Sequence, residues 1–310
     1  MAAGKIAVSA ALIAFVCRHI DAAGLARQFA GQTPGWVAAT ALIGLVQIAL
    51  LTLRWQQILR GLGGRIGIGP TLSVTYMGCF FGACLLGPAG SDVARAVLAP
   101  SRGLGRRAIV HSIVFERLAS VAGLGLAAAP LLALAAGPPA QAWALAASLA
   151  IVPLPFVAVA GIAWLARATA GRSGALCRAV QEFDRSRQEL CRAWPRFAAA
   201  AAIAAAGQGL VAGEAWCLSQ AQHLGVAFRD FAVLMPPVTL LVSLPISAGG
   251  WGVREGAMVA ALAMLGVDRA AALLLSVELG ALTLLVSLPG GAIWLWRCLR
   301  APNRAPRGMA

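Results

Sequence analysis

Two short stretches hold most of the ionisable side chains that this chain sets among apolar residues. The first reads Pro88-Ala89-Gly90-Ser91-Asp92-Val93-Ala94-Arg95, followed by Arg107 and, nine residues later, by Glu116 with Arg117 beside it. The second reads Pro245-Ile246-Ser247-Ala248-Gly249-Gly250-Trp251-Gly252-Val253-Arg254-Glu255, followed by Arg269 and, again nine residues later, by Glu278. An arginine next to a broken helix suits an anion, because the guanidinium fork meets phosphate bidentately and a helix start offers free N–H groups. A glutamate inside an apolar helix needs a cation, a proton or water, since a charge at mid-bilayer costs about 2.5–3.5 kcal/mol on insertion scales. The candidate substrate-binding residues are therefore Asp92, Arg95, Glu116, Arg117, Ser247, Arg254, Glu255 and Glu278. The candidate hairpin tips are Pro88, Gly90, Pro245, Gly249, Gly250 and Gly252. Two structural readings compete with binding: an ion pair or protonated Glu that ties helices together, and a glycine-packed kink in which Arg254 and Glu255 pair at the interface.

The elements that must position these residues are membrane helices. The chain has 310 residues, 60% hydrophobic and only 12% charged, with a mean hydropathy of +0.81. That excludes a soluble globular domain and indicates an all-α polytopic membrane protein. Apolar runs of spanning length cover 36–53, 108–136, 142–166, 197–218 and 270–296, and an N-terminal run from Ile6 to Val16 follows Lys5. The N-terminal run reads as a retained helix, because Val16-Cys17-Arg18 is not a small-residue cleavage site. Two further apolar segments, 71–90 and 231–252, are broken by glycine and proline and are expected to be re-entrant or broken-helix hairpins. The total is about six to eight membrane segments.

Basic residues in short loops set orientation. The stretch 167–196 holds seven arginines against three acids, which places it in the cytoplasm. Its Leu176, Val180, Phe183, Leu190 and Trp194 recur at helical spacing, so it is expected to be a basic amphipathic linker. The same rule opens the hairpin at 71–107 to the cytoplasm and the one at 230–268 to the outside. The expected organisation is an inverted-topology repeat: membrane half 1 over 1–166, the linker over 167–196, membrane half 2 over 197–300, and a cytoplasmic tail at 301–310. Helix arithmetic sets Glu116 and Glu278 each about 13 Å into its helix, so in an inverted pair both are expected near one depth. Charge counting indicates a multi-pass membrane protein with its basic loops in the cytoplasm, and the expected location is the bacterial cytoplasmic (inner) membrane.

Other chemistry is not supported. Seven scattered cysteines and three histidines form no ligand spacing, so neither a metal site nor a cofactor is expected. A phosphate-binding GxxxxGK[ST] pattern is missing, and no nucleophile–base pair suggests hydrolysis. Glu214, Gln47 and Gln208 lie inside spans, where such residues commonly bond helix to helix.

At these motifs the chain resembles the membrane region of lysylphosphatidylglycerol synthases and its stand-alone flippase-like members. Arg54-Trp55 matches that family's Arg-Trp, and Gly87-Pro88-Ala89-Gly90-Ser91-Asp92 with Arg95 resembles its Pro-Gly-Gly-Asp-x-x-Arg hairpin, with Ser91 where glycine is usual. Glu116-Arg117 and Pro289-Gly290-Gly291 also match, and Pro245, Ser247, Gly249, Gly250, Gly252, Arg254 and Glu255 follow the later pattern closely. The resemblance implies a lipid flippase or transporter moving a polar or anionic lipid between leaflets by alternating access, and not an enzyme, because lysyl transfer resides in a separate soluble domain. Two alternatives stay open: a membrane-embedded lipid-modifying enzyme, or a non-transporting subunit of an envelope or lipid biosynthesis complex. The expected partners are a membrane lipid substrate, a second copy of the chain or lipid-biosynthesis proteins, and no nucleic acid.

Overall fold

The computed structural model describes residues 31–99, 105–134, 139–169, 174–243 and 251–300. The N-terminal run, the tail at 301–310 and the second tip at 244–250 lie outside the described residues, and with that tip go the expected sites Pro245, Ser247, Gly249 and Gly250. Every regular element among the described residues is helical. Five stretches are long and apolar enough to cross a membrane: Pro34–Gly61, Arg106–Leu131, Leu145–Ala168, Trp194–Ala221 and Arg269–Arg300. Leu42, Leu126, Trp143 and Val157, each at least 60% exposed, would face lipid on such a bundle, where water would penalise them.

Half 1 begins with α1 (Pro34–Gly61), a helix of 28 residues. A short turn leads to α2 (Ile68–Phe81), which runs through one wider π-turn at Gly82–Leu86 to Gly87. There φ is +61°, a value open to glycine without steric cost, and the chain reverses into α3 (Pro88–Leu98). Gly78 and Gly82 hold the two arms close: a Cβ at Gly78 would meet Ser91 Oγ at 3.0 Å, and one at Gly82 would meet Gly87 O at 3.1 Å. The reversal is therefore one residue before the expected Pro88, which opens α3, while Gly90 is buried inside that helix. The first arm, 14 α-helical residues plus the 5 of the π-turn, rises at most about 28 Å, and the second, of 11 residues, about 16 Å. Neither alone covers about 30 Å of hydrocarbon.

α4 (Arg106–Leu134) completes the half. The expected single span at 142–166 is two helices, α5 (Pro139–Ile151) and α6 (Leu154–Ala168). Pro153 lacks an N–H and cannot continue α5, and the Val152 N–H closes a turn onto Leu149 O at 3.1 Å. α7 (Ala175–Arg192) is the amphipathic helix. It docks on α4 with Phe183 stacked on Phe115, ring centroids 5.2 Å apart, while Leu176 and Trp194, at 76% and 67% exposed, point away from the bundle.

After α7, a long helix, two shorter ones and a second long helix follow, the same order as α1 to α4. α8 (Trp194–Ala221) also has 28 residues and is followed by α9 (Phe228–Ser243), α10 (Val253–Ala263) and α11 (Arg269–Arg300). The turns that end α1 and α8 share three backbone hydrogen bonds. Leu62, Gly63 and Gly64 donate to Ile58, Arg60 and Leu59, and Gln222, His223 and Leu224 donate to Leu218, Gln220 and Ser219. Gly63 (φ +78°) has its counterpart in His223 (φ +55°), the one positive-φ residue other than glycine among the described residues.

α1 and α8 form the largest helix–helix contact of the bundle and run antiparallel. The Thr33 N–H bonds Ala221 O at 3.2 Å at one end, and Arg196 reaches Gln57 at 3.5 Å at the other. Close crossings elsewhere rely on small residues. A Cβ at Gly123 of α4 would strike Ala204 of α8, and one at Gly290 of α11 would strike the Tyr76 backbone of α2. The apolar interior divides into one cluster around Trp55, Ile58, Met77 and Phe115 and a second around Phe231, Leu234, Met258 and Leu275.

Candidate functional site

The first hairpin carries a buried charge network. Arg95, 2% exposed, donates from Nη2 to Asp92 Oδ1 at 2.6 Å and to Glu116 Oε2 at 3.3 Å. Glu116, itself 1% exposed, also pairs with Arg54 of α1. Arg117 turns to the other side of α4, donates to both oxygens of Asp92 at 3.0 Å and to Pro88 O at 3.1 Å. The network thus ties α1, α3 and α4 together and joins three guanidinium groups to two carboxylates. Trp55 lies beneath it, its ring 5.3 Å from the Arg95 guanidinium carbon and its Nε1 donating to Ser112 at 3.0 Å.

Charges buried this deeply persist only when paired and hydrogen-bonded. Yet the Nε of Arg54 and both Nε and Nη1 of Arg95 are buried donors with no acceptor. Unmet buried donors on a surplus cation are where an anion or ordered water gains most.

The second hairpin is arranged differently. Glu255 accepts from Arg254 Nη2 at 2.8 Å and from the backbone N–H of Gly252, so one carboxylate both holds the arginine and caps α10. Gly252 is the N-cap at φ +87°. Arg254 stacks 4.6 Å from the Trp251 ring centre, and its guanidinium fills the space where a side chain at Gly280 of α11 would go.

Glu278 is not part of either cluster. It accepts from Gln222 Nε2 at 2.9 Å and from Gln32, beside the start of α1 and the end of α8. Along α1, Gln32 and Arg54 are 22 residues apart, about 33 Å of helix. The expectation that Glu116 and Glu278 approach one depth therefore fails. The physical reason is that position within a helix fixes depth only when both helices start at matching levels.

Two openings adjoin the first network. A cavity of about 240 Å³ runs between α1, α8 and α11, lined by Gly44, Gln47, Arg54, Gln208, Glu214 and Thr283 among others. Arg54 and Glu214 each stand seven residues before the C-terminal end of a 28-residue helix. Because those helices are antiparallel, the two side chains enter the cavity from different levels, and the Glu214 carboxylate lies beside Gly44, 10 residues or about 15 Å along α1 from Arg54. A groove of about 310 Å³ lies between the first tip and α9, lined by Pro88, Asp92, Arg117, Gln208 and Ser243. Gln208 borders both openings.

The structure brings four of the candidate residues, Asp92, Arg95, Glu116 and Arg117, into one network, and it adds beside them Arg54, Gln208 and Glu214, which were not among the candidate binding residues. Arg54 had a signal, the Arg54-Trp55 pair late in an apolar helix, but only the fold shows that it lines the cavity. No group of three or more potential metal-ligating side chains occurs among the described residues.

Helices alone, five of them long enough to span, and charges buried between them define a polytopic all-α membrane protein. The profile of the lysylphosphatidylglycerol synthase TM region matches residues 3–291, and the chain belongs to that family. This membership links it to the handling of lipid in the membrane. No curated protein matches it significantly.

Proposed function

We propose that the chain moves an anionic lipid between the leaflets of a bacterial inner membrane by alternating access. The observation that carries this reading is Arg54. It is a cation on the wall of an internal cavity, held by buried Glu116 in a network with more guanidinium than carboxylate. An anionic headgroup entering there would meet the unpaired donors of Arg54 and Arg95, and the groove at Asp92 and Arg117 would give it a way in. An enclosed polar path is what a headgroup needs, because exposure to hydrocarbon leaves its charges unsolvated.

In this account α1 and α8 are the paired central helices of an inverted-topology repeat, and the short hairpin arms are re-entrant. Matching helix lengths, matching turns and antiparallel packing support that arrangement, which recurs among transporters with sites between the repeats. The side rich in arginine is read as cytoplasmic. Arg254 and Glu255 would brace the second hairpin against α11, and Glu278 would close the opposite end with Gln32 and Gln222.

The test is reconstitution in liposomes with head-labelled lipids, reading the fraction reached by a membrane-impermeant quencher. Anionic lipids should equilibrate across the bilayer faster than zwitterionic ones, and Arg54→Gln should slow them at least about tenfold, the effect of roughly 1.4 kcal/mol at a barrier. Correctly inserted protein that moves no anionic lipid would overturn the proposal.

A further inference from the structure

A third opening, sharing no residue with the charge network, lies beside α6. α6 makes its main helix contact with α7, and the gap between α6 and α4 forms a groove of about 440 Å³. Its walls are apolar, with Phe115 and Leu118 of α4 facing Phe156 and Val159 of α6, and Leu190 of α7 beneath. Its mouth carries Arg167, in the last turn of α6, and Arg187 of α7. From Phe156 to Arg167 the groove follows 11 residues of α6, about 16 Å. That is close to half of the roughly 30 Å hydrocarbon layer, or one leaflet.

The floor of the groove is a fixed surface. α7 is pinned to α4 by the Arg107–Glu182 ion pair, by His111 Nδ1 against Ser186 Oγ at 2.9 Å, and by the Phe183–Phe115 stack. Asp184 accepts from Arg187 Nε at 2.7 Å, which keeps that guanidinium oriented and raises its pKa above the ordinary value. The stretch 167–196 as a whole carries seven arginines against three acids, a surplus of four positive charges. Such a surface attracts anionic headgroups at about 1 kcal/mol per basic residue near the membrane.

We propose that this groove holds one anionic phospholipid of the leaflet on the basic side as a resident ligand, with its phosphate at Arg167 and Arg187 and one acyl chain between α4 and α6. The complementarity is twofold: an apolar slot one leaflet deep, ending at two guanidinium groups beside a basic helix. The proposal does not depend on the transport reading, because the groove shares no residue with the central cavity.

Native mass spectrometry of the full chain in neutral detergent tests it, with phosphatidylglycerol and phosphatidylcholine added at equal concentration. Wild type should retain one phosphatidylglycerol at least about fivefold more often than phosphatidylcholine. Arg167→Gln, on an exposed side chain that leaves the helix contacts intact, should erase most of that preference. Ala160→Trp should fill the slot and lower retention of both lipids. Arg54→Gln should leave retention unchanged, which separates a resident lipid from cargo. Equal retention of the two lipids by wild type, or retention unaltered by both Arg167→Gln and Ala160→Trp, overturns the proposal. Loss of the lipid in Arg54→Gln would place it in the central cavity and overturn it as well.

Discussion

The first hairpin binds its arginine to distant helices, whereas the second binds its arginine to itself. Arg95 reaches Asp92 on its own helix and Glu116 on α4, and Glu116 passes the link on to Arg54 of α1. Arg254 instead leans on the adjacent Glu255 and on Trp251, and lies against Gly280 of α11. Both devices neutralise a charge that lipid would penalise. The first also fixes three helices relative to one another and leaves unmet donors beside a cavity. The second leaves the hairpin dependent on a local cap, so it can shift against α11 without breaking ion pairs to other helices. The first hairpin is tied to two other helices by ion pairs, and the ion pair of the second stays within its own helix.

This contrast can be broken by substitution. Glu116→Ala should be the most damaging change, because it removes the buried carboxylate paired with Arg54 and leaves the fully buried Arg95 with Asp92 alone. Breaking a buried pair in this way costs about 3–5 kcal/mol, read as a large drop in thermal midpoint in detergent. Glu255→Ala removes one charged hydrogen-bond partner and a cap, for about 1.5–3 kcal/mol, and Trp251 remains to cover Arg254. Equal losses in the two variants would erase the distinction between the hairpins.

A second comparison sets two glycines of α11 against each other. Gly290→Ala forces a methyl into the Tyr76 backbone, which cannot rotate away, and overpacking of that kind costs about 1–3 kcal/mol. Gly280→Ala meets only the Arg254 side chain, which can move. It should therefore cost less stability while freeing Arg254 from α11, seen as faster hydrogen exchange in α10. The smallest effect belongs to Arg107→Gln. That pair with Glu182 joins side chains 74% and 34% exposed, and surface pairs contribute about 0–1 kcal/mol. A large loss there would mean that α7 is held by charge instead of by Phe183.

The membrane class, the helical architecture and most span positions were legible in composition and in apolar run length. The break of the first hairpin was legible from glycine and proline, because those residues act locally. The Arg95–Glu116 association was half legible: residue types and spacing marked both side chains, but their meeting depends on how α3 and α4 pack. Arg54 and Glu214 were passed over, since their inward aim comes from the antiparallel pairing of α1 and α8, which no local pattern encodes. The break at Pro153 was missed because apolar run length outweighed a single proline. The shared depth assigned to Glu116 and Glu278 failed for a related reason. Residue counting measures distance along a helix, and helix offsets are set by tertiary contacts such as Gln32 and Gln222 on Glu278.

The central claim is that the cavity between α1, α8 and α11 is the path of the lipid headgroup. Gly207 lines that cavity and has no atom within 4 Å of where its Cβ would be, and Gly209 has equally free space without lining it. Gly207→Leu should therefore fill the cavity without disturbing the fold. The measurement is the rate of anionic lipid movement in proteoliposomes bearing Gly207→Leu, with Gly209→Leu as the matched control. The account predicts at least about a tenfold slower rate for Gly207→Leu, roughly 1.4 kcal/mol at the barrier, and an unchanged rate for Gly209→Leu. Equal rates for wild type and both variants would contradict it.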